Sequence, residues 1–281
     1  MKILIQNSQE PILEGVSQVL LSLEEQVLVW DGQSPINDLI DKYKPDLTIC
    51  YSNIKSRPNG KLVVVGEYYG ELKPDIICVS SDLPQFKKEQ IANSDSASKY
   101  LFIETAANLS YSTVEHDPKY ATDVFYYSQN TTPEILNYLQ KIERDFQLKV
   151  IGQHRIPISS YLGAGTPKDI MKFMKSCKVA LAFDKPTLYT YLANKVKCLT
   201  DQSNEFVFTF LTYEQLQERL AIDKFFDSES TWEVDCNYKT ITDNHTYFHR
   251  SHNILTRLGL NEQAKKCLTQ LNKILKSNLI K

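Results

Sequence analysis

The sequence predicts an α/β protein built from two Rossmann-like halves in tandem and closed by a helical section. Three observations carry this. Short, nearly continuous apolar runs recur along both halves, as strands buried on both faces require. Helical apolar spacing fills the gaps between them, so the order reads β-α-β-α-β and implies right-handed crossovers in open parallel sheets. Residues 148–201 repeat the alternation most clearly, from LKVIGQ through a helix to VALAFD, a Tyr-rich helix and VKCLTD.

In the first half, residues 2–6 (KILIQ), 26–31 (QVLVWD), 46–52 (DLTICYS), 61–68 (KLVVVGEY) and 75–81 (DIICVSS) read as strands. Ile12, Val16, Val19, Leu20 and Leu23 stand at helical spacing and predict a helix over 11–23. A short helix over 36–43 is ended by Lys44-Pro45, because a proline disfavours helical backbone in the residue before it. Asn59-Gly60 is a turn signal. Between 82 and 119 the signals weaken, and only 100–105 (YLFIET) reads as a strand.

In the second half, strands are expected at 122–128, 149–152, 180–183, 197–199 and 206–210. Helices are expected at 134–146, 167–175, 187–194 and 213–221. Thr132-Pro133 and Thr166-Pro167 are start signals, a capping threonine followed by proline in the first turn. Residues 246–275 read as helical with a break at Gly259. The expected domains are therefore 1–115, 116–245 and a terminal helical section, 246–281.

Hydrophobic residues at 42% and charged residues at 23% of 281 positions allow a sizeable core, in one large domain or two. A net charge of −2 gives no basic field, so neither nucleic acid nor an anionic membrane is the expected partner. The apolar runs fall well short of the roughly 20 residues of a membrane span. MKILIQNSQE lacks the apolar stretch of a secretory signal. The six cysteines form no CxxC pair. Free thiols in a reducing cytoplasm are expected, and no structural zinc site.

Three segments carry a family resemblance. Residues 150–183 (VIGQHRIPISSYLGAGTPKDIMKFMKSCKVALAF) run from strand to loop to helix, then Ser-Cys-Lys and an apolar strand. Residues 187–201 (TLYTYLANKVKCLTD) give a helix, an Ala-x-x-x step and an apolar strand ending in Thr. Residues 245–255 (HTYFHRSHNIL) hold a His-Thr-Tyr-x-x-Arg signature. Together they resemble GT-B glycosyltransferases, closest to the spore-maturation-type group that also occurs among viral and phage sugar transferases. The resemblance implies two Rossmann-like domains facing across a cleft, with a terminal helix crossing back to the first. A nucleotide-sugar donor would sit against the second domain and a glycan or other hydroxyl acceptor against the first, without a metal or other cofactor. The family's ribose-holding Glu falls on Thr190 and its phosphate-binding Arg near Thr187, so neither charge is kept.

Sugar transfer from a nucleotide diphosphate requires cations or helix N-termini against the leaving phosphates and a base for the acceptor hydroxyl. Arg155 follows the strand ending at Gly152, so both are candidates for the donor site; the alternative for Arg155 is a solvated loop side chain. Lys185, Thr187, Tyr189 and Thr190 sit at the start of the helix after 180–183, where free N–H groups would meet an anion. The alternative there is simple capping by Asp184 or Thr187. Family position suggests that Gly163-Ala-Gly165-Thr166-Pro167 makes a nucleobase or inter-domain contact; the alternative is an ordinary loop whose Thr166 caps the helix opened by Pro167. Glu67 ends the strand KLVVVG and is the candidate base, with Glu104, His116 and Asp117 as rivals.

His245, His249 and His252 share a helix face, which suits structure better than a metal. Arg250 is a further candidate at the donor site. Tyr126, Tyr127, Tyr189 and Tyr191 are either sugar-lining or amphipathic packing residues. The expected activity is sugar transfer to a hydroxyl. A catalytically degenerate binding or assembly protein of the same fold is the alternative. A DNA-modifying transferase is the third reading, which the acidic balance disfavours.

Overall fold

The computed structural model describes residues 1–7, 11–31, 35–51, 57–66, 72–94, 96–104, 106–107, 109, 116–128, 131–202, 207–225 and 231–279. In chain order the elements of the first part are β1 (Lys2–Gln6), α1 (Pro11–Leu21), β2 (Gln26–Trp30), α2 (Ile36–Tyr43), β3 (Leu47–Cys50), β4 (Lys61–Val65), β5 (Ile76–Ser80), α3 (Gln85–Ala92) and β6 (Tyr100–Ile103). Then come β7 (Thr122–Ser128), α4 (Pro133–Asp145), β8 (Leu148–Gly152), α5 (Pro167–Ser176), β9 (Cys177–Ala182), α6 (Lys185–Leu192), β10 (Cys198–Thr200), α7 (Tyr213–Phe225) and α8 (Thr231–Asn244). The chain ends in α9 (Tyr247–Arg257) and α10 (Asn261–Leu279). It divides into two compact units, Met1–Ala106 with His245–Lys281, and Ala107–Asn244.

The first unit is a six-stranded sheet in the order β2-β1-β3-β4-β5-β6. Every pairing is parallel. Both β3 and β4 are almost wholly buried, which explains their unbroken apolar sequences. Helix α2 lays Ile36 and Ile40 on Leu4, Cys50, Leu62 and Val64. α9 packs on α1 in this unit. Gly15 is the reason it can: a Cβ at that position would overlap the ring of Tyr247. Glycine inside a helix costs about 1 kcal/mol relative to alanine, and here close approach of the two helices offsets it. The expected break at Gly259 is a C-terminal stop. Gly259 has φ of +77°, and the Leu260 N–H donates to the Leu255 carbonyl at 2.9 Å, the left-handed closure that favours glycine.

The second unit is a four-stranded parallel sheet in the order β10-β9-β7-β8. Its core joins Val124, Tyr126, Leu139, Ile142, Val150, Leu181, Phe183 and Phe210. Phe183 meets Tyr126 and Phe210 edge-on, with ring centroids 5.4 and 5.8 Å apart. The start signals act as expected. Thr132 accepts from the Ile135 N–H at 3.2 Å, and Thr166 with Asp169 closes a reciprocal capping box.

Several boundaries and elements differ from the sequence reading. β9 begins at Cys177, three residues before the expected strand, because Cys177 pairs with Thr122 on β7. Of the strand expected at 206–210, residue 206 lies outside the described residues, and 207–210 form no strand but a single bridge between Thr200 and Thr209. Helices α3 and α8 carry little sequence signal. α3 buries no residue, so it has no apolar stripe to detect. α8 is rich in Thr, Asp and Asn, weak helix formers. Tertiary contact holds it: Ile241 and Thr242 are buried, and Lys195 pairs with Asp235 at 2.8 Å.

Candidate functional site

In each sheet the chain reverses its direction of growth beside the first strand of the unit, between β1 and β3 and between β7 and β9. Open α/β sheets bind ligands at such a switch point, outside the carboxyl ends of the strands. In the second unit this places the segments after β7 and β9 at the candidate site, with the start of α6 beside them. Residues 129–130 and 203–206 lie outside the described residues.

Asp184 follows β9 and caps α6. Its carboxylate accepts the Thr187 N–H at 2.8 Å and the Thr187 hydroxyl at 3.0 Å. A carboxylate thus already occupies the place where the start of α6 would meet an anion. The Thr190 hydroxyl donates back to the Pro186 carbonyl within the helix, at 2.9 Å. Lys185 is exposed in the first turn. Tyr189 is half-buried, whereas Tyr191 and Tyr126 belong to the core.

Two further carboxylates converge on this edge. Asp201 follows β10 and its acid strength is reduced: burial pushes its pKa up, and the Glu134 and Asp184 carboxylates add to the shift. Glu134 stands in the first turn of α4. The sequence pattern does not single out Asp201 or Glu134. The signal present was an acid directly after an apolar strand (Thr200-Asp201), which a solvated turn would show equally. A half-buried carboxyl with a raised pKa beside other acids is a common mark of a functional site.

Arg155 is exposed in the loop after β8, an edge strand of the sheet, and so stands one strand away from the switch point. Gly152 is fully committed to structure. Its carbonyl accepts the Tyr161 hydroxyl at 2.9 Å, and its N–H donates to the Gly163 carbonyl at 3.2 Å. Thr166 of the glycine-containing loop spends its hydroxyl on Asp169.

Glu67 lies outside the described residues. The rival Glu104 sits in the first unit, at the carboxyl end of β6. Arg250 of α9 donates from Nε to the Glu104 carbonyl and from Nη2 to its carboxylate, both at 3.1 Å. His245 Nδ1 lies 3.8 Å from the same carboxylate oxygen. The Arg250 side chain is 12% exposed and that of Glu104 60%. This places Arg250 in the first unit, tying α9 to the end of β6. The remaining histidines are engaged locally, His249 Nδ1 with the Thr246 hydroxyl at 2.8 Å and His252 Nδ1 with the Ala264 carbonyl at 3.0 Å.

Among the described residues no three His, Cys, Asp or Glu side chains are arranged to hold a metal ion. None of the six cysteines forms a disulfide. Burial pushes Cys50 and Cys267 up to about 12, so neither is a nucleophile at neutral pH. No helix among the described residues is long and apolar enough to cross a membrane.

No protein-family model matches the chain, and no curated protein matches it in sequence. Solved structures do. A Listeria monocytogenes protein, described as a UDP-N-acetylglucosamine 2-epimerase, superimposes with a TM-score of 0.54 at 11% identity, over 90% of this chain and 94% of its own. S. aureus MnaA, in a co-structure with UDP, gives 0.53 at 10% identity, over 92% and 97%. The apo form of WaaB, a lipopolysaccharide outer core galactosyltransferase, gives 0.46 at 12% identity, over 90% and 98%. At such identities the likeness speaks for the fold. The chain has a GT-B-like α/β fold of two parallel sheets with a helical C-terminal section.

Proposed function

We propose that the chain is a glycosyltransferase that moves a sugar from a nucleotide-sugar donor to a hydroxyl acceptor, of the spore-maturation-type group and acting in the cytoplasm. The observation that carries the reading is the switch point between β7 and β9 in a GT-B-like fold, one of whose solved neighbours was determined with UDP. The donor's nucleotide lies along the carboxyl edge of the second sheet. Lys185, at the start of α6, and Arg155, one strand over, supply positive charge to the diphosphate. In the transfer, the bond from the anomeric carbon to the diphosphate breaks as one to the acceptor oxygen forms. The acceptor's proton passes to a carboxylate of the first unit, Glu67 or Glu104, and the nucleoside diphosphate leaves. No metal is needed in this scheme, and nucleic acid is not the acceptor.

A second reading has its own support. The carboxylate of Asp184 closes the start of α6, and the family's Glu and Arg are replaced by uncharged residues, as befits a GT-B-like protein that binds without turning over. A thermal-shift screen against UDP, GDP, TDP, CMP and their sugars, with and without Mn²⁺, separates the readings, because a ligand that binds only the folded state raises its melting temperature. A shift with one nucleotide, lost in Arg155→Ala or Lys185→Ala, together with acceptor-dependent release of that nucleotide, is the expected result. Binding without release favours the non-catalytic protein. Absence of any shift refutes both.

A further inference from the structure

The carboxyl edge of the first sheet carries an open recess of about 190 Å³, lined by Ser81, Leu101, Phe102, Glu104, Arg250 and Asn253. Ser81 and Glu104 are the residues directly after β5 and β6. Arg250 and Asn253 stand on one face of α9, three residues apart. The recess therefore sits at the carboxyl ends of β5 and β6, away from the switch point between β1 and β3, and of its lining only Arg250 was a candidate for the donor site.

Its size and charge narrow the ligand. Cofactor and drug-sized sites span about 300–1,000 Å³, so this one admits a single small ring and not a nucleotide. Arg250 is paired with Glu104 at 3.1 Å, so the field an anion would feel from the guanidinium is offset by the carboxylate beside it. A cation meets the reverse. What remains is a neutral molecule that can both donate and accept. The carboxylate accepts, the guanidinium donates, and the Asn253 amide and Ser81 hydroxyl do both. Phe102, 41% exposed on the edge strand, adds an apolar surface. Alternating hydroxyls around a ring with an apolar C–H face match this set.

We propose that this recess binds one neutral sugar ring, with its hydroxyls on Glu104, Arg250, Asn253 and Ser81 and its apolar face on Phe102. That the ring is the acceptor's rests on the transferase reading; the sugar site itself stands on the lining. The Arg250 ion pair and the approach of His245 Nδ1 at 3.8 Å both meet Glu104 at the same oxygen, Oε2. As the acceptor's neighbour, the carboxylate is held in place by Arg250 and is 60% exposed to a ligand.

The test is a titration of the full ¹⁵N-labelled chain with the methyl glycosides of glucose, galactose and N-acetylglucosamine, followed by amide shifts, with a separate titration by UDP. Saturable shifts confined to Ser81, residues 101–104 and residues 250–253 are expected. Phe102→Ala and Asn253→Ala should each weaken the binding about tenfold, the effect of one lost contact, while leaving the UDP response intact. Asn253 is exposed and its variant tests the site even if Phe102→Ala fails to fold. No shift with any glycoside, or shifts unchanged in both variants, overturns the recess as a sugar site. UDP binding without a glycoside response sinks this inference alone. A glycoside response without UDP binding leaves the recess standing and sinks the transferase.

Discussion

Asp184 does two jobs that two substitutions separate. Its carboxylate accepts the Thr187 N–H at 2.8 Å and the Thr187 hydroxyl at 3.0 Å, and its charge stands among Glu134 and Asp201. Asp184→Ala removes the cap and the charge; Asp184→Asn keeps the cap, because asparagine serves as well as aspartate at this position. Loss of a side-chain cap costs about 1 kcal/mol. Relief of the repulsion on Asp201 returns only a few tenths, since Asp184 is exposed and screened. Asp184→Ala should therefore lower the melting temperature by about 3 °C for a unit of this size, and Asp184→Asn by much less. On nucleotide affinity the order changes. A fixed negative charge about 4 Å from a phosphate charge costs on the order of 1 kcal/mol even at the dielectric of water, so Asp184→Asn should tighten UDP about fivefold. The assays are thermal unfolding and isothermal titration with UDP. If both variants destabilise equally, the hydrogen bonds to Thr187 are not what Asp184 supplies. If Asp184→Asn leaves UDP affinity unchanged or weaker, the diphosphate does not lie at the start of α6.

Two further predictions follow from packing and burial. Gly15→Ala should undock α9 from α1, because the added Cβ overlaps the Tyr247 ring; limited proteolysis should then cut within residues 245–281, and an unchanged digestion pattern would refute the account. Lys175 is held near 8 by burial first and by the Lys195 charge second, and its ammonium donates to the Asn194 carbonyl. Because the unfolded chain binds this proton up to a pH near 10.5 while the folded chain releases it near 8, stability gains from this group as pH rises through that window. Lys175→Met should remove that gain, so the wild type's urea midpoint should rise relative to the variant's as pH increases between those values; a pH-independent difference would count against it.

Much of the fold was legible because its causes are local. The apolar runs of β3, β4 and β9 mark buried parallel strands whatever lies around them. Thr132-Pro133 and Thr166-Pro167 start helices because a capping hydroxyl and a proline act within one turn. Gly259 ends α9 by its own backbone freedom. The elements that were not legible are those held from outside: α8, whose residues disfavour a helix until Ile241 and Thr242 are buried, and α3, which buries nothing and shows no stripe. The site was legible only in part for the same reason. Lys185 and Thr187 could be placed at the start of a helix by counting along the chain. The approach of Asp201 and Glu134 to Asp184 depends on strand order, which no local pattern encodes.

The sequence by itself determined the parallel α/β class, the rhythm of strands and helices and the local caps, since each is decided by neighbours within a few residues. Only the tertiary structure decided which distant groups meet. It set Tyr247 on Gly15, joined Arg250 to Glu104 across 146 residues of chain, and gathered the acids of the second sheet at one edge. Such contacts depend on the burial of surfaces and the order of strands, and the energy of either exists only once the chain has folded.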